Sequence, residues 1–292
     1  MAKTYGVVST KGGVGKTSFC AQFGGILADM GQRVLLCDAD FQQSLSRYYR
    51  ISKPAKFGLR KLVTSADPTD CISRTDIDNL DIVVSDDAQQ KLLEWLRESI
   101  NHSFYLAAAL KKVKDDYDYI VIDSQGARGI LQQSIILASN ELISPIVPEF
   151  LDSQEFMRGT VDMLRSLEPA DGIGMPFNIP NLYGLIFKQD RTSDAETIAN
   201  GLRKRFYSLS DGKIKILTAY IPMMASYKKA AARRLPAHRI EMRRNGPTPS
   251  AHDAYLAVVH ELLPHLSDVR PMWQHHGTQA CVADNTTVTT GA

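Results

Sequence analysis

Near the start of the chain the run Thr10-Lys11-Gly12-Gly13-Val14-Gly15-Lys16-Thr17-Ser18 gathers the residue types that phosphate chemistry requires. Glycines let a backbone turn tightly and bring its N–H groups up to an anion. A helix starting at the end of that turn adds the partial positive charge of its dipole. Lys16 then reaches the outer phosphates of a nucleotide and the Thr17 hydroxyl can ligate Mg²⁺. Thr10 stands where an ordinary phosphate loop has its first glycine, and a second lysine, Lys11, opens the loop. Lys11 lies too far around the turn to duplicate Lys16 in the same site. It is placed instead to reach a nucleotide held by a second subunit.

Two acidic segments complete the set. Cys37-Asp38-Ala39-Asp40-Phe41-Gln42 puts two carboxylates at the end of an apolar run, and Tyr119-Ile120-Val121-Ile122-Asp123 ends a second run in an acid. Carboxylates at the carboxyl ends of parallel strands lie where open α/β sheets bind their ligands. An acid ending an apolar strand holds the metal or its waters in phosphoryl-transfer sites.

The elements that position these groups follow from the pattern. Apolar, β-branched runs at 4–9, 33–37, 80–84, 119–123, 141–147, 182–187 and 214–219 alternate with helical periodicities at 15–30, 89–100, 104–114, 129–138, 153–167, 194–206, 226–235 and 250–266. Strands apolar throughout, separated by helices, predict a single doubly wound α/β domain whose mostly parallel sheet is flanked by helices. The expected domain spans residues 1–268. Residues 269–292 are Thr-rich and aperiodic and read as a disordered tail. The strand ending at Cys37 is expected beside the first strand.

Composition narrows the function. With 44% hydrophobic and 23% charged residues the chain is globular in type, and with no signal-peptide core or membrane-spanning run it is expected to be cytoplasmic. Cys20, Cys37, Cys71 and Cys281 lie far apart, which points to neither a zinc site nor a disulfide framework. The net charge is only +2, but residues 201–250 carry twelve Lys or Arg against Asp211 and Glu241. That block has a local charge of +10, leaving −8 for the rest, and points to a polyanion.

Lys11, Gly12, Gly13, Gly15, Lys16 and Thr17 resemble the deviant Walker A loop of the ParA/MinD family of P-loop ATPases. The resemblance to ParA-type partition ATPases runs from about Thr4 to Leu266, through Asp38-x-Asp40-x-Gln42, Tyr117 to Asp123, Pro148-Glu149-Phe150, Tyr220-Ile221-Pro222 and Ala254-Tyr255-Leu256. It departs at Phe41, where the family usually has Pro, at Gln43 in place of Gly, and at Ser124-Gln125-Gly126 in place of Thr-Pro-Pro.

This resemblance implies ATP and Mg²⁺ as cofactors, a homodimer formed on ATP binding and weak intrinsic ATPase activity. Lys11, Lys16 and Asp40 are the catalytic candidates: Lys11 acts in trans on the partner's phosphates and Asp40 orients the attacking water. Lys11, Gly12, Gly13, Val14, Gly15, Lys16, Thr17 and Ser18 hold the nucleotide, with Lys188, Pro222 and Met223 near the base. Thr17, Asp38 and Asp123 attend the metal. Lys188-x-Asp190 faintly echoes a guanine-reading motif without its usual Asn or Thr, so ATP is preferred to GTP.

The further implication is nucleoid association through nonspecific duplex DNA, with a ParB-like centromere-binding protein as partner. Arg203, Arg205, Lys228, Lys229, Arg233, Arg234, Arg239, Arg243 and Arg244 are the DNA-binding candidates. The alternative, a MinD-like positioning ATPase on a membrane surface or protein cargo, calls for a basic amphipathic C-terminal helix, and residues 273–292 have neither the charge nor the period. No membrane partner is expected. A nitrogenase-type reductase needs cluster-ligating cysteines after Asp123, where Cys281 stands alone.

Overall fold

The computed structural model describes residues 1–126, 129–165, 167, 179–209 and 212–273. Its elements, in chain order, are β1 (Lys3–Val7), α1 (Lys16–Asp29), β2 (Val34–Ala39), β3 (Ile51–Lys53), α2 (Leu59–Ser65), β4 (Ser73–Thr75), β5 (Leu80–Val83), α3 (Lys91–Glu98), α4 (Tyr105–Lys111), β6 (Tyr119–Ser124), α5 (Ile130–Ala138), β7 (Glu141–Ile146), α6 (Phe150–Glu155), α7 (Asp162–Arg165), β8 (Asn181–Gln189), α8 (Ser193–Leu209), β9 (Ile214–Pro222), α9 (Ala225–Arg233), α10 (Ala237–Ile240) and α11 (Ala251–Leu262). A π-helical turn, Phe156–Val161, joins α6 to α7.

All seven expected strands form, and two more extend the sheet at one edge. The order is β3-β4-β5-β2-β6-β1-β7-β8-β9. Pairing is parallel from β5 to β9, while β3–β4 and β4–β5 are antiparallel. The expectation that β2 lies beside β1 is overturned: β6 runs between them, in register with both, so that Asp123 pairs with Val7 on one side and with Asp38 on the other.

Because the parallel strands are covered on both faces, they read as apolar throughout. On one face α1 and α11 bury Phe19, Phe23, Ile26, Tyr255 and Val259 against Val7, Leu36 and Val121. On the other, α2 to α8 bury residues such as Leu62, Leu96, Leu131, Phe156 and Leu202 against Val8, Leu35 and Ile122. Of the stretch read as a tail, residues 269–273 lie along the protein: Met272 N–H donates to Asp29 O, and the Trp273 ring stands over His238 and Arg239. The remainder, with His275, His276 and Cys281, lies outside the described residues.

Candidate nucleotide site

The phosphate loop bridges β1 and α1 at the carboxyl edge of the sheet. Gly13 and Gly15 have φ of +76° and +105°, the left-handed region that glycine enters without a Cβ penalty. Gly15 has a second reason, since a Cβ there would stand 2.3 Å from the Phe187 ring. Opposite, Gly126 packs backbone on backbone: a Cβ at that position would stand 2.7 Å from Gly12 Cα and 2.9 Å from Lys11 O. The departure Ser124-Gln125-Gly126 therefore has a local use, with Ser124 Oγ donating to Val7 O at 2.7 Å below the loop.

The side chains close around this turn. Lys16 is buried and its Nζ donates to Lys11 O at 3.2 Å, curled over the loop. Lys188 Nζ donates to Gly13 O at 2.9 Å from the end of β8, and Met223 N–H bonds Gln189 O, so the segments expected near the base converge on the loop. Pro222 and Met223 end and follow β9 beside them, Pro222 buried and Met223 exposed. Gly12, Gly13 and Ser18 are exposed while Val14 is anchored in the interior.

Asp38 and Asp123 are both fully buried. Asp38 is well partnered: Oδ2 accepts from Ser46 N–H at 2.7 Å and Ser46 Oγ at 2.6 Å, and Oδ1 accepts from Asp40 N–H at 3.1 Å. Among the described residues neither oxygen of Asp123 has a hydrogen-bond partner of ordinary geometry. Burial pushes the Asp123 carboxyl up to about 7, the Thr17 hydroxyl pulls it back, and the Asp38 charge adds to the rise. Burial likewise lowers Lys16, with Asp123 and Asp40 opposing, and raises Asp38 against the Ser46 hydrogen bonds. Asp40 is half-buried, with Oδ1 accepting from Gln42 N–H at 3.0 Å.

A buried carboxylate with unused oxygens, beside the Thr17 hydroxyl and a lysine, is a donor set suited to a hard divalent cation. Among the described residues no three His, Cys, Asp or Glu side chains stand close enough to hold a metal by themselves. The residues therefore fit Mg²⁺ bound as it usually is, through few protein ligands and the phosphates of a nucleotide.

Three contacts escape a reading of the sequence. Lys11 Nζ is ion-paired with Asp152 of α6. Thr10 Oγ1 donates to Glu155 Oε1 at 2.7 Å, and Thr10 N–H reaches Thr160 Oγ1 at 3.4 Å, which ties the loop to the π-turn. Only Pro148-Glu149-Phe150, just before Asp152, marks this region in the sequence, and nothing there specifies the pairing.

Residues 2–168 match the family model AAA_31, described as an AAA domain of ParA/MinD type. The chain belongs to that family. It is 34% identical over 152 residues to the sporulation initiation inhibitor protein Soj of Bacillus subtilis, covering 51% of this chain and 60% of Soj. It is 28% identical over 242 residues to the chromosome-partitioning ATPase Soj of Treponema pallidum, covering 81% and 89%. The chain spans about half to three fifths of the length of the first curated relatives it matches. In fold it is similar to the ATP complex of Cyanothece McdA, with a TM-score of 0.73 at 21% identity over 94% of this chain and 99% of that one. The architecture is that of the P-loop ParA/MinD ATPases, and no helix among the described residues is long and apolar enough to cross a membrane.

The nine basic candidates divide. Lys228, Lys229 and Arg233 on α9, Arg234 just after it, and Arg243 and Arg244 after α10 are exposed, with Arg244 Nε 3.9 Å from Glu241. Arg205 is exposed on α8, on the opposite face of the sheet. Two are committed inward. Arg203 donates to Leu217 O and Thr218 O at 3.1 Å each, and the neighbouring Glu261 accepts from Thr218 and Ala219 N–H, meeting backbone groups where the β8–β9 register shifts. Arg239 donates through Nε to Asp29 Oδ2 at 2.7 Å and is mostly buried. Their donors serve the fold, which removes both from a DNA surface.

Proposed function

We propose that the protein is an ATP-dependent DNA-segregation ATPase. ATP and Mg²⁺ bind at the Lys11–Ser18 loop, two subunits dimerise around the nucleotides, and the dimer coats duplex DNA of any sequence on the nucleoid. Hydrolysis stimulated by a ParB-like centromere-binding protein releases it. The observation that carries this reading is the loop set against Asp123, whose buried oxygens face the Thr17 hydroxyl and have no hydrogen-bond partner of ordinary geometry among the described residues.

Each residue takes one part, since phosphoryl transfer is chiefly positioning and charge neutralisation. Lys16 leaves Lys11 O for the outer phosphates, joined by the loop N–H groups. Thr17 would hold the metal directly, with Asp38 and Asp123 holding it through water. Bound Mg²⁺ neutralises phosphate charge. Asp40 orients the attacking water. Lys11 exchanges Asp152 for the partner subunit's phosphates, which makes turnover depend on dimerisation. Lys188, Pro222 and Met223 border the base.

Cations that neutralise phosphates release counterions, so affinity for DNA falls steeply with salt and depends little on sequence. The surface proposed is Lys228, Lys229, Arg233, Arg234, Arg243 and Arg244, with Arg205 apart from it. A mobility-shift titration with random duplex DNA, with and without ATP–Mg²⁺ at two salt concentrations, tests it. Binding that needs ATP, weakens with salt and drops about tenfold in a Lys228→Ala, Lys229→Ala double variant is expected, on the order of half a kcal/mol or more per lost phosphate contact. Absence of ATP-dependent binding at low salt would overturn the segregation reading.

A further inference from the structure

One buried amide joins the two regions just described. Gln22 lies on α1, six residues after Lys16, and is 2% exposed. Its Oε1 accepts from the N–H of Ala237, the first residue of α10, at 2.5 Å, and its Nε2 donates to Tyr48 OH. Tyr48 follows Ser46, which is fastened to Asp38 by two hydrogen bonds. Gln22 is thus bonded at once to α10 and to the loop leaving Asp38, while riding on the helix that starts at the Gly-rich loop.

A second contact lies at the far end of α1. Asp29 accepts from His238 Nε2 at 2.6 Å and from Arg239 Nε at 2.7 Å, both on α10. α10 is flanked by the exposed basic residues of α9 and by Arg243 and Arg244. The two helices turn about Arg234, whose φ is +56°, an uncommon conformation for a side-chain-bearing residue. Ser226 Oγ and Tyr227 OH on α9 and Tyr255 OH on α11 are buried without hydrogen-bond partners among the described residues. Such groups are costly to leave unmade, so a change in the set of α9 that gave them partners would recover that cost.

We propose that α1 carries the nucleotide state to the basic surface, with Gln22 and Asp29 as positioning residues. A helix of 14 residues is a rod about 21 Å long. A shift of its first turn on phosphate binding, or of Ser46 as Asp38 takes up the metal's waters, is delivered at Gln22 to Ala237 and at Asp29 to His238 and Arg239. The α9–α10 pair then changes its set against the body of the protein. This inference rests on the proposed nucleotide site, and its DNA consequence rests on the proposed DNA surface.

The test is hydrogen–deuterium exchange across residues 225–244 of the full chain, with and without ATP–Mg²⁺, in the wild type and in two variants. Gln22→Met removes the acceptor for Ala237 and the donor to Tyr48 while keeping the volume. Ala237→Pro removes the N–H and sets a ring carbon against Gln22 Oε1, at a first helical position where proline is tolerated, preceded by Pro236 at an extended ψ of 140°. Either variant suffices if it binds ATP and dimerises like the wild type, and Asp29→Asn serves if neither does. In the wild type ATP changes exchange in 225–244 at least threefold. In the variant that response falls below half while ATP binding is retained. No response in the wild type, or the full response in an ATP-binding variant, overturns the coupling. A response lost in the variant from a protein that never binds DNA leaves the coupling standing and removes the DNA reading instead.

Discussion

The phosphate loop and the basic stretch at 201–250 are both conspicuous in the sequence, and the fold treats them in opposite ways. The loop keeps its nine residues together, because its glycines and Lys16 act on the same turn of backbone. The basic stretch is broken up: α8 and α9 stand on different sides of β9, and Arg203 and Arg239 are turned into the protein. A motif whose parts act through adjacent backbone survives folding as a site. A run of like charges is only a statement about composition until the elements carrying it are placed.

That contrast can be broken at its strongest point. Lys16→Ala should reduce nucleotide affinity at least a hundredfold, since a charge-assisted contact worth about 3 kcal/mol is lost, and fluorescent-nucleotide titration reads it. Retained affinity would show that loop backbone and dipole suffice.

A smaller effect sets apart charge buried for chemistry. The folded Asp123 carboxyl is raised to about 7, above its unfolded value near 3.8. Between those values the native state holds the extra proton, so stability without metal falls as pH rises from about 4 to about 7, by up to about 1.4 kcal/mol per pH unit. Asp123→Asn should flatten that dependence in metal-free denaturant melts. An unchanged slope in the variant would assign it to another group.

A last pair of effects separates the basic residues from one another. Arg239→Ala leaves Asp29 buried with only His238 and should cost about 3 kcal/mol, whereas Arg234→Ala leaves the melting curve unchanged and weakens DNA binding. Equal stability losses in the two would mean that the exposed arginines are also structural.

Seven strands were legible because each is an apolar, β-branched run set off by helical periodicity. β3 and β4 were not, being three residues each at an antiparallel edge, too short for any period to register. Nor does the sequence show that β6 lies between β1 and β2, since strand order is set by crossovers and packing rather than by the strands themselves. The site's candidate ligating residues stand at the loop and at strand ends, where sequence pattern marks them. Its supports, Ser46, Asp152, Glu155 and Gln22, are ordinary polar residues whose roles exist only once distant elements meet.

The clasp on β9 has a consequence for how copies of the chain assemble. β9 is the last strand of the sheet, and a last strand offers its unused backbone groups to any strand that adds alongside. Where the register shifts, Arg203 and Glu261 occupy groups of residues 217–219, and the bend spoils the straight template such an addition needs. Filament growth by sheet extension is therefore disfavoured at this edge. In the proposed dimer self-association uses the exposed loop of Gly12 and Gly13 instead, and an Arg203→Ala chain would be the one to watch for fibres.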